Sequence, residues 1–155
     1  MKLTLLVVGK LKEPWQRDAF TDYAKRLIPY VRLSVIDIAD RDVDRLGVQR
    51  ALADEAAELL RRMPADAHVV ALTLDGRSYD SPGLAAHIED LKTRGTSHLC
   101  FVIGGPAGLD PQVVAASHEQ LSLGSMTWPH TLVRVMLAEQ LYRACRISAG
   151  HPYHR

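Results

Sequence analysis

The sequence predicts an α/β fold with a mostly parallel sheet and helices on both faces. Short apolar runs rich in β-branched residues alternate along the chain with segments of helical periodicity. The apolar runs are nearly continuous, which is typical of strands that are buried on both faces. With 155 residues and no repeat or linker, the chain is expected to form one domain, 1–155.

The first half of the chain contains two predicted strands and two predicted helices. KLTLLVV (2–8) has the length of a strand, and apolar residues spaced by three and four predict a helix over 15–27. VRLSVIDI (31–38) alternates and then doubles up, as a strand does. The charged segment 39–47 predicts a mobile loop. A second helix begins near Leu52 and ends before Pro64.

The next elements are a strand, a helix and another strand. HVVALTL (68–74) predicts a strand that ends at a turn formed by Asp75-Gly76. Ser81 before Pro82 predicts a capped helix that runs to Arg94. HLCFVI (98–103) is a further buried strand, and the glycine-rich GGPAG (104–108) follows it.

The final elements are a short helix opened by Asp110-Pro111, a strand over 119–123 and a long helix over 131–145. The long helix is apolar over much more than one stripe and therefore needs burial on two sides. In a domain of this size the second surface is expected to be another subunit, and a two-fold homodimer is the simplest arrangement. The residues that carry this prediction are Leu132, Val133, Val135, Met136, Leu137, Ala138 and Leu141.

Composition and charge exclude several classes of protein. No apolar run approaches the roughly 18 residues of a membrane span, and the amino terminus lacks a signal-peptide cleavage site. Cys100 and Cys145 lie far apart, which indicates free thiols in the cytoplasm. The net charge of +1 indicates no polyanionic partner by itself. However, no acid follows Glu139, and the basic end of the chain suits either an anionic partner or an ordinary solvated tail.

Several common active-site motifs are absent from the sequence. There is no GxGxxG, P-loop, HExxH or GxSxG motif and no pair of cysteines with metal-ligand spacing. His151 and His154 are three residues apart but have no evident third ligand, so no metal site is predicted.

Three stretches remain as candidates for a binding site. GGPAG either brings backbone close to a ligand or forms a tight turn that only packs. HPYHR (151–155) has groups that could stack on a base, hold phosphate and move a proton, or it is a solvated tail. LSLGSMTWPH (121–130) combines small, mostly uncharged residues and is either a packing loop or a ligand wall.

Taken together, FVIGGPAGLD (101–110), LSLGSMTWPHTLVRVMLAEQLYRA (121–144) and HPYHR (151–155) resemble one family. It is the RlmH (YbeA-type) family of ribosomal RNA large-subunit methyltransferases, within the SPOUT superfamily. The resemblance covers the whole chain and is weakest around 39–50. It implies a SPOUT-type deep C-terminal trefoil knot that holds S-adenosyl-L-methionine in a bent conformation. It also implies a cytoplasmic homodimer that methylates N3 of a pseudouridine in the helix 69 loop of 23S rRNA, on the assembled 70S ribosome.

The resemblance places the cofactor contacts at three points of the chain. Leu72 would pack on the adenosine from the end of the third strand, and Gly104 would bring backbone to the cofactor. A continuous segment would wrap the adenine, mainly through main-chain groups. That segment consists of Leu123, Gly124, Ser125, Met126, Thr127 and Trp128. Gly124 departs from the serine that is associated with this site.

The same resemblance suggests catalytic residues near the end of the chain. N3 of a uracil-like ring is a poor nucleophile until it loses its proton, so a proton acceptor and a cationic group are expected. We hypothesise that His154 accepts the proton, that Arg155 or Arg143 stabilises negative charge, and that Tyr153 stacks on or hydrogen-bonds the flipped base. The alternative is a positional mechanism in which these residues only bind RNA. For His130 and Glu139 the sequence favours structural roles.

Three rival functions stay open from the sequence. The first is a ribosome-binding dimer without turnover, and the second is a small-molecule nucleotide or phosphate enzyme that uses GGPAG at a helix start. The third is the same methyl transfer to another RNA, such as tRNA.

Overall fold

The structure is a computed structural model that describes residues 1–153. Its strands are β1 (Lys2–Val8), β2 (Arg32–Ile38), β3 (His68–Ser78), β4 (His98–Ile103) and β5 (Glu119–Ser122). Its helices are α1 (Pro14–Leu27), α2 (Val43–Leu46), α3 (Val48–Arg62), α4 (Ser81–Thr93), α5 (Pro111–Ala116) and α6 (His130–Ser148). All five predicted strands and the five predicted helices are confirmed, and most of their ends agree within a few residues. The exceptions are β3, which ends later than predicted, and α3, which begins earlier.

The strands form one parallel sheet in the order β2-β1-β4-β3-β5. In its centre Leu5 of β1 pairs with Val35 of β2 on one side and with Phe101 of β4 on the other. Because all strands run the same way, their carboxyl ends meet at one edge of the sheet, where ligands bind in folds of this kind. The predicted parallel α/β sheet is therefore confirmed.

Helices cover both faces of the sheet, and each face has its own core. Alternate residues of β1 point to opposite faces, as the pleat of a strand requires. Leu5 packs with residues of α1, α4 and α6, whereas Leu6 packs with residues of α3 and α5. This explains why β1 reads as an unbroken apolar run, since neither face of the strand meets water. The trefoil knot that the resemblance implies stays a prediction.

The turn predicted at Asp75-Gly76 is wrong, because β3 continues through it to Ser78. Pairing between β3 and β5 shifts register between Leu72 and Arg77, so the extra residues form an irregular bulge in a longer strand. A Cβ atom on Gly76 would lie 2.6 Å from the backbone carbon of Leu121. The glycine therefore permits close approach of two strands and does not mark a chain reversal.

The segment 39–47 also differs from the predicted loop, because it contains the short helix α2. The side chain of Asp42 caps this helix by accepting a hydrogen bond from the backbone N–H of Arg45, at 3.1 Å. The cap of α4 is likewise one residue earlier than predicted. Asp80 accepts from the N–H of Gly83 at 2.7 Å, and Ser81 instead donates its hydroxyl to Gln140 of α6.

None of the helices within residues 1–153 combines the length and the hydropathy that a membrane span needs.

Candidate functional site

A cavity of about 430 Å³ opens at the carboxyl edge of the sheet, next to the start of α6. Its volume falls in the range of sites that bind small organic ligands. The wall is formed by β3, by the ends of β4 and β5, and by the loops that follow β4 and β5. Its lining comprises Leu72, Thr73, Leu74, Ile103, Gly104, Gly105, Pro106, Ala107, Gly108, Leu109, Leu121, Ser122, Leu123, Gly124, Met126, Thr127, Trp128, His130 and Val133.

The structure brings together nearly all the residues that the sequence proposes as cofactor contacts. Seven of them line this cavity, namely Leu72, Gly104, Leu123, Gly124, Met126, Thr127 and Trp128. Ser125 is exposed and does not line it. Leu72 lies inside β3, at the register shift, and not at the end of the strand as expected.

The glycine-rich loop after β4 closes on itself and presents backbone to the cavity. The N–H of Gly108 donates to the carbonyl oxygen of Gly105 at 3.0 Å, and Gly108 has a φ of 82°. A Cβ atom on Gly104 would lie 2.3 Å from the carbonyl oxygen of Gly108. No larger residue fits at Gly104 unless the loop opens. The loop is therefore a tight turn, and the same turn brings its backbone to the cavity.

The loop after β5 is also held by its own hydrogen bonds. The hydroxyl of Ser122 lies 3.0 Å from the carbonyl oxygen of Gly124, to which it donates, and accepts from the Gly124 N–H at 3.2 Å. Gly124 has a φ of 113°, in the region that favours glycine. The resemblance leads us to expect serine at position 124, but the backbone conformation at this position favours the glycine that the chain has.

One buried donor at the cavity has no partner. The indole N–H of Trp128 is inaccessible to solvent and makes no hydrogen bond to any residue in the described part of the chain. Buried donors are almost always paired, so this N–H, which has no surface open to the cavity, is an exception. Two apolar side chains on the same wall, Leu74 and Met126, are 55% and 65% exposed and leave the cavity with an apolar opening.

His130 lies in the cavity wall as well, although the sequence favours a structural role for it. Among the described lining residues it has the only ionisable side chain. Burial, together with the positive charge of Arg134, lowers the pKa of His130 below its ordinary value of 6.5, and Asp40 opposes the shift. The sequence contains a signal for this position. In the stretch 121–130, His130 is the only ionisable side chain, so it is the only residue there whose charge can change near neutral pH.

Behind His130, a buried arginine connects α6 to the ends of two strands. Arg134 is 4% exposed and donates from Nη1 to Asp37 of β2 at 3.0 Å. From Nη2 it donates to the carbonyl oxygen of Gly9, just after β1, at 2.6 Å. These bonds fix the start of α6, and with it His130, against the carboxyl edge of the sheet.

The proposed catalytic residues Arg143 and Tyr153 lie together but do not line the cavity. Arg143 donates from Nη1 to the carbonyl oxygen of Tyr153 at 2.9 Å, and its guanidinium lies 4.8 Å from the centre of the Tyr153 ring. Glu139 pairs with Arg143 at 2.7 Å and raises the pKa of that guanidinium. His154 and Arg155 lie outside the described residues.

A second cavity lies next to the first and is bordered by Glu139, the partner of Arg143. Arg143 is ten residues beyond Val133 on α6, which corresponds to a rise of roughly 15 Å. The second cavity has a volume of about 550 Å³. The two cavities share the wall formed by Leu121, Ser122, Leu123 and Gly124.

No group of three or more histidine, cysteine, aspartate or glutamate side chains within residues 1–153 is arranged to hold a metal ion.

A family model described as "Predicted SPOUT methyltransferase" matches residues 1–154 of the chain. Two curated relatives are both named ribosomal RNA large subunit methyltransferase H. The relative from Rubrobacter xylanophilus is 48% identical over 99% of this chain and 98% of its own length. The relative from Bifidobacterium adolescentis is 43% identical over the full length of both chains.

A solved structure from Neisseria gonorrhoeae, described as a methylase family protein, shares the fold. It superposes with a TM-score of 0.52, covers 91% of this chain and 81% of its own, and is 13% identical. At that identity the likeness supports the architecture alone.

Proposed function

Because the chain belongs to the SPOUT methyltransferase family, we propose that it transfers a methyl group from S-adenosyl-L-methionine to the RNA of the large ribosomal subunit. The observation that carries this proposal is the cavity at the carboxyl edge of the sheet. It gathers the glycine loop, Leu72 and the uncharged segment after β5 into one wall. Full-length relatives named for large-subunit rRNA methylation support the choice of substrate.

At a finer level, we propose N3 of a pseudouridine in the helix 69 loop of 23S rRNA as the methyl acceptor, within the assembled 70S ribosome in the cytoplasm. This rests on the resemblance of TWPHTLVRVMLAEQLYRA (127–144) and HPYHR (151–155) to the RlmH family. We propose that recognition depends on the shape of the ribosome and on both subunits of a dimer.

The cavity wall fits the chemical groups of the proposed cofactor. Leu72 and Leu123 offer apolar surface to an adenosine, and the wall from Leu123 to Trp128 offers backbone donors and acceptors. When bound, S-adenosyl-L-methionine supplies an electrophilic methyl group; the protein's task is to hold that group in line with the acceptor nitrogen.

The acceptor nitrogen must lose its proton, and we assign that step to residues at the end of the chain. His154 would accept the N3 proton, directly or through water, while Arg143 or Arg155 stabilises negative charge on the base or its phosphate. Tyr153 would stack on the flipped base. Substitution of His154 by alanine should lower the single-turnover rate on saturating ribosomes. An unchanged rate would remove His154 as the base.

A homodimer is part of the proposal, and the surface of α6 supports it. Leu137, Ala138 and Leu141 are buried in the core of this chain, whereas Leu132, Val135 and Met136 are only half-buried. The half-buried residues are spaced by three and four and form a stripe along one side of α6. A second copy that packs on this stripe would complete the burial that the sequence of α6 demands.

The experiment that tests the proposed function compares possible RNA substrates. Ribosomes are prepared from cells that lack the modification, and transfer of a tritiated methyl group is measured to 70S particles, to separate 50S subunits and to tRNA. We expect transfer to 70S particles and little transfer to tRNA. Label on tRNA alone would contradict the proposed substrate, and no transfer at all would favour a binding protein without turnover.

A further inference from the structure

We propose that His130 makes the cavity sensitive to the charge on the sulfur of its ligand: the neutral imidazole admits the sulfonium S-adenosyl-L-methionine, and the protonated imidazole disfavours it relative to the thioether S-adenosyl-L-homocysteine. This inference rests on the proposed function, since it assumes that the cavity binds these two ligands. It assigns a role in ligand selection to a residue outside the predicted cofactor contacts.

The first support is the position of His130. It lines the cavity of about 430 Å³, and every other described lining residue is apolar or uncharged. No carboxylate in that lining is available to neutralise a charge that appears on the imidazole. A protonated His130 would therefore place a positive charge in the same confined space as the ligand, and Asp40, which lies outside the lining, would offset that charge only in part.

The second support is the set of charged groups around His130. On α6 the nearest is Arg134, which is buried and paired with Asp37 of β2. From the loop after β2, Asp40 lies beside Gly9, where a Cβ atom would be 3.7 Å from His130 Nε2 and 3.8 Å from Asp40 Cβ. On the far side of the glycine loop, the buried carboxylate of Glu55 on α3 accepts the N–H of Arg41 at 2.9 Å.

From the remaining neighbour, α1, the contact to the start of α6 is uncharged, because Gln16 donates to the hydroxyl of Thr131 at 3.1 Å. The balance of these groups favours the neutral imidazole. Burial comes first and the charge of Arg134 second in lowering the pKa of His130, and Asp40 offsets this only in part. His130 is consequently neutral near pH 7 and gains a proton only in more acidic solution.

The two ligands differ only at the sulfur atom and its methyl group, so comparing them isolates the effect of the charge on sulfur. Both have the same adenosine, ammonium and carboxylate groups, but only the methylated form bears a positive sulfur. Two like charges about 8 Å apart correspond to roughly a thirty-fold change in affinity at an effective dielectric constant near 20, and to about two-fold in bulk water. A partly enclosed cavity lies between these two limits, so we expect a change of at least about three-fold in the ratio of the two affinities.

The test is calorimetric titration of the wild-type protein with each ligand from about pH 5 to pH 8, which spans the titration of a histidine. The affinity ratio of S-adenosyl-L-methionine to S-adenosyl-L-homocysteine should fall at least three-fold as the pH decreases. Linkage requires that the pKa of His130, measured by NMR of the imidazole, be lower in the complex with S-adenosyl-L-methionine than in the complex with S-adenosyl-L-homocysteine, and the ratio should fall between these two values.

Two variants separate His130 from other titrating groups. His130→Asn keeps a polar side chain without a titratable charge and should make the ratio independent of pH. The matched control, His118→Asn, alters an exposed histidine outside the cavity and should leave the pH dependence as in the wild type. Thermal unfolding checks that both variants are folded.

The outcomes are distinct. A ratio that stays constant with pH in the wild type, or a pH dependence that persists in His130→Asn, would overturn the inference. If His130→Asn does not fold, equal pKa values of His130 in the two complexes overturn it instead. If the wild type binds neither ligand at millimolar concentration, the proposed function fails and not merely the role of His130.

Discussion

At the scale of single residues, backbone conformation decides what the cavity wall tolerates. Gly104 is needed because a Cβ atom would collide with the carbonyl of Gly108, at 2.3 Å. Gly124 has free space around it but a φ of 113°, so its requirement is conformational and not steric. The two glycines therefore constrain the site for different physical reasons, although the sequence shows the same letter at both.

Substitution of Gly104 by alanine tests the importance of the glycine loop. We expect the loop to open and the affinity for S-adenosyl-L-methionine to fall by ten-fold or more, about 1.4 kcal/mol of binding free energy. Calorimetric titration measures the change directly.

Gly47→Ala is the matched control for this experiment. Gly47 joins α2 to α3 with a φ of 79° and has no atom within 4 Å of the added Cβ. Its ψ of 155° places it in a region that only glycine adopts readily, so the control should cost about 1–3 kcal/mol of folding free energy without affecting the ligand. Equal affinities for the Gly104→Ala variant and the wild type would contradict a close backbone approach at this loop.

At the scale of elements, α6 is the connection between the cavity and the rest of the fold. Its first turn carries His130, and one turn later Arg134 reaches β2 and the loop after β1. Removal of Arg134 would leave the carboxylate of Asp37 and the carbonyl of Gly9 without their donor.

Substitution of Arg134 by methionine is expected to lower the free energy of unfolding by about 2–4 kcal/mol. Asp37 is partly open to solvent, with 32% of its side chain exposed, which keeps the expected value below that of a fully enclosed pair. Denaturant unfolding of Arg134→Met, Asp37→Asn and the double variant would give the coupling energy of the pair.

Arg50→Met is the control, since Arg50 forms an exposed pair with Asp54 that is worth no more than about 1 kcal/mol. A loss of stability in Arg134→Met as small as in this control would refute the role of the buried pair.

The elements themselves show which sequence signals were sufficient. The apolar runs predicted every strand because hydrophobic burial dominates at the centre of a parallel sheet. The Asp75-Gly76 signal failed because the chain stays extended through the bulge and pairs with β5 again at Arg77 and Ser78, so tertiary contacts outweigh local turn preference. Similarly, the Asp42 cap stabilises a helix in a segment whose charge alone suggested a loop.

For the site, the sequence supplied the segments but not their arrangement. The cofactor contacts came from a resemblance in motifs, and seven of those residues line one cavity. Asp37 and Arg134 pair although they are 97 residues apart in the sequence. Hydrophobic periodicity predicts local elements only and cannot predict such a long-range contact. The same limit applies to His130, whose place in the wall depends on how α6 is fixed against the sheet.

At the scale of the whole molecule, the half-buried stripe on α6 predicts self-association. Substitution of Val135 by aspartate places a charge on this stripe, where a dimer would have to desolvate it. We expect the wild type to sediment as a dimer and Val135→Asp to sediment as a monomer with an unchanged circular dichroism spectrum.

Val48→Asp serves as the control for this prediction. It makes the same change at a residue of α3 that is 51% exposed, and it should leave the dimer intact. A folded Val135→Asp variant that remains dimeric would place the interface elsewhere on the molecule.

We propose that this chain methylates N3 of a pseudouridine in the helix 69 loop of 23S rRNA. The most direct test is mass spectrometric mapping of the methylated nucleotide after reaction of the purified protein with 70S ribosomes that lack the modification. We expect one new methyl group per ribosome, on a pseudouridine base in that loop. A methyl group on a ribose, on another base or in another region of the RNA would contradict it.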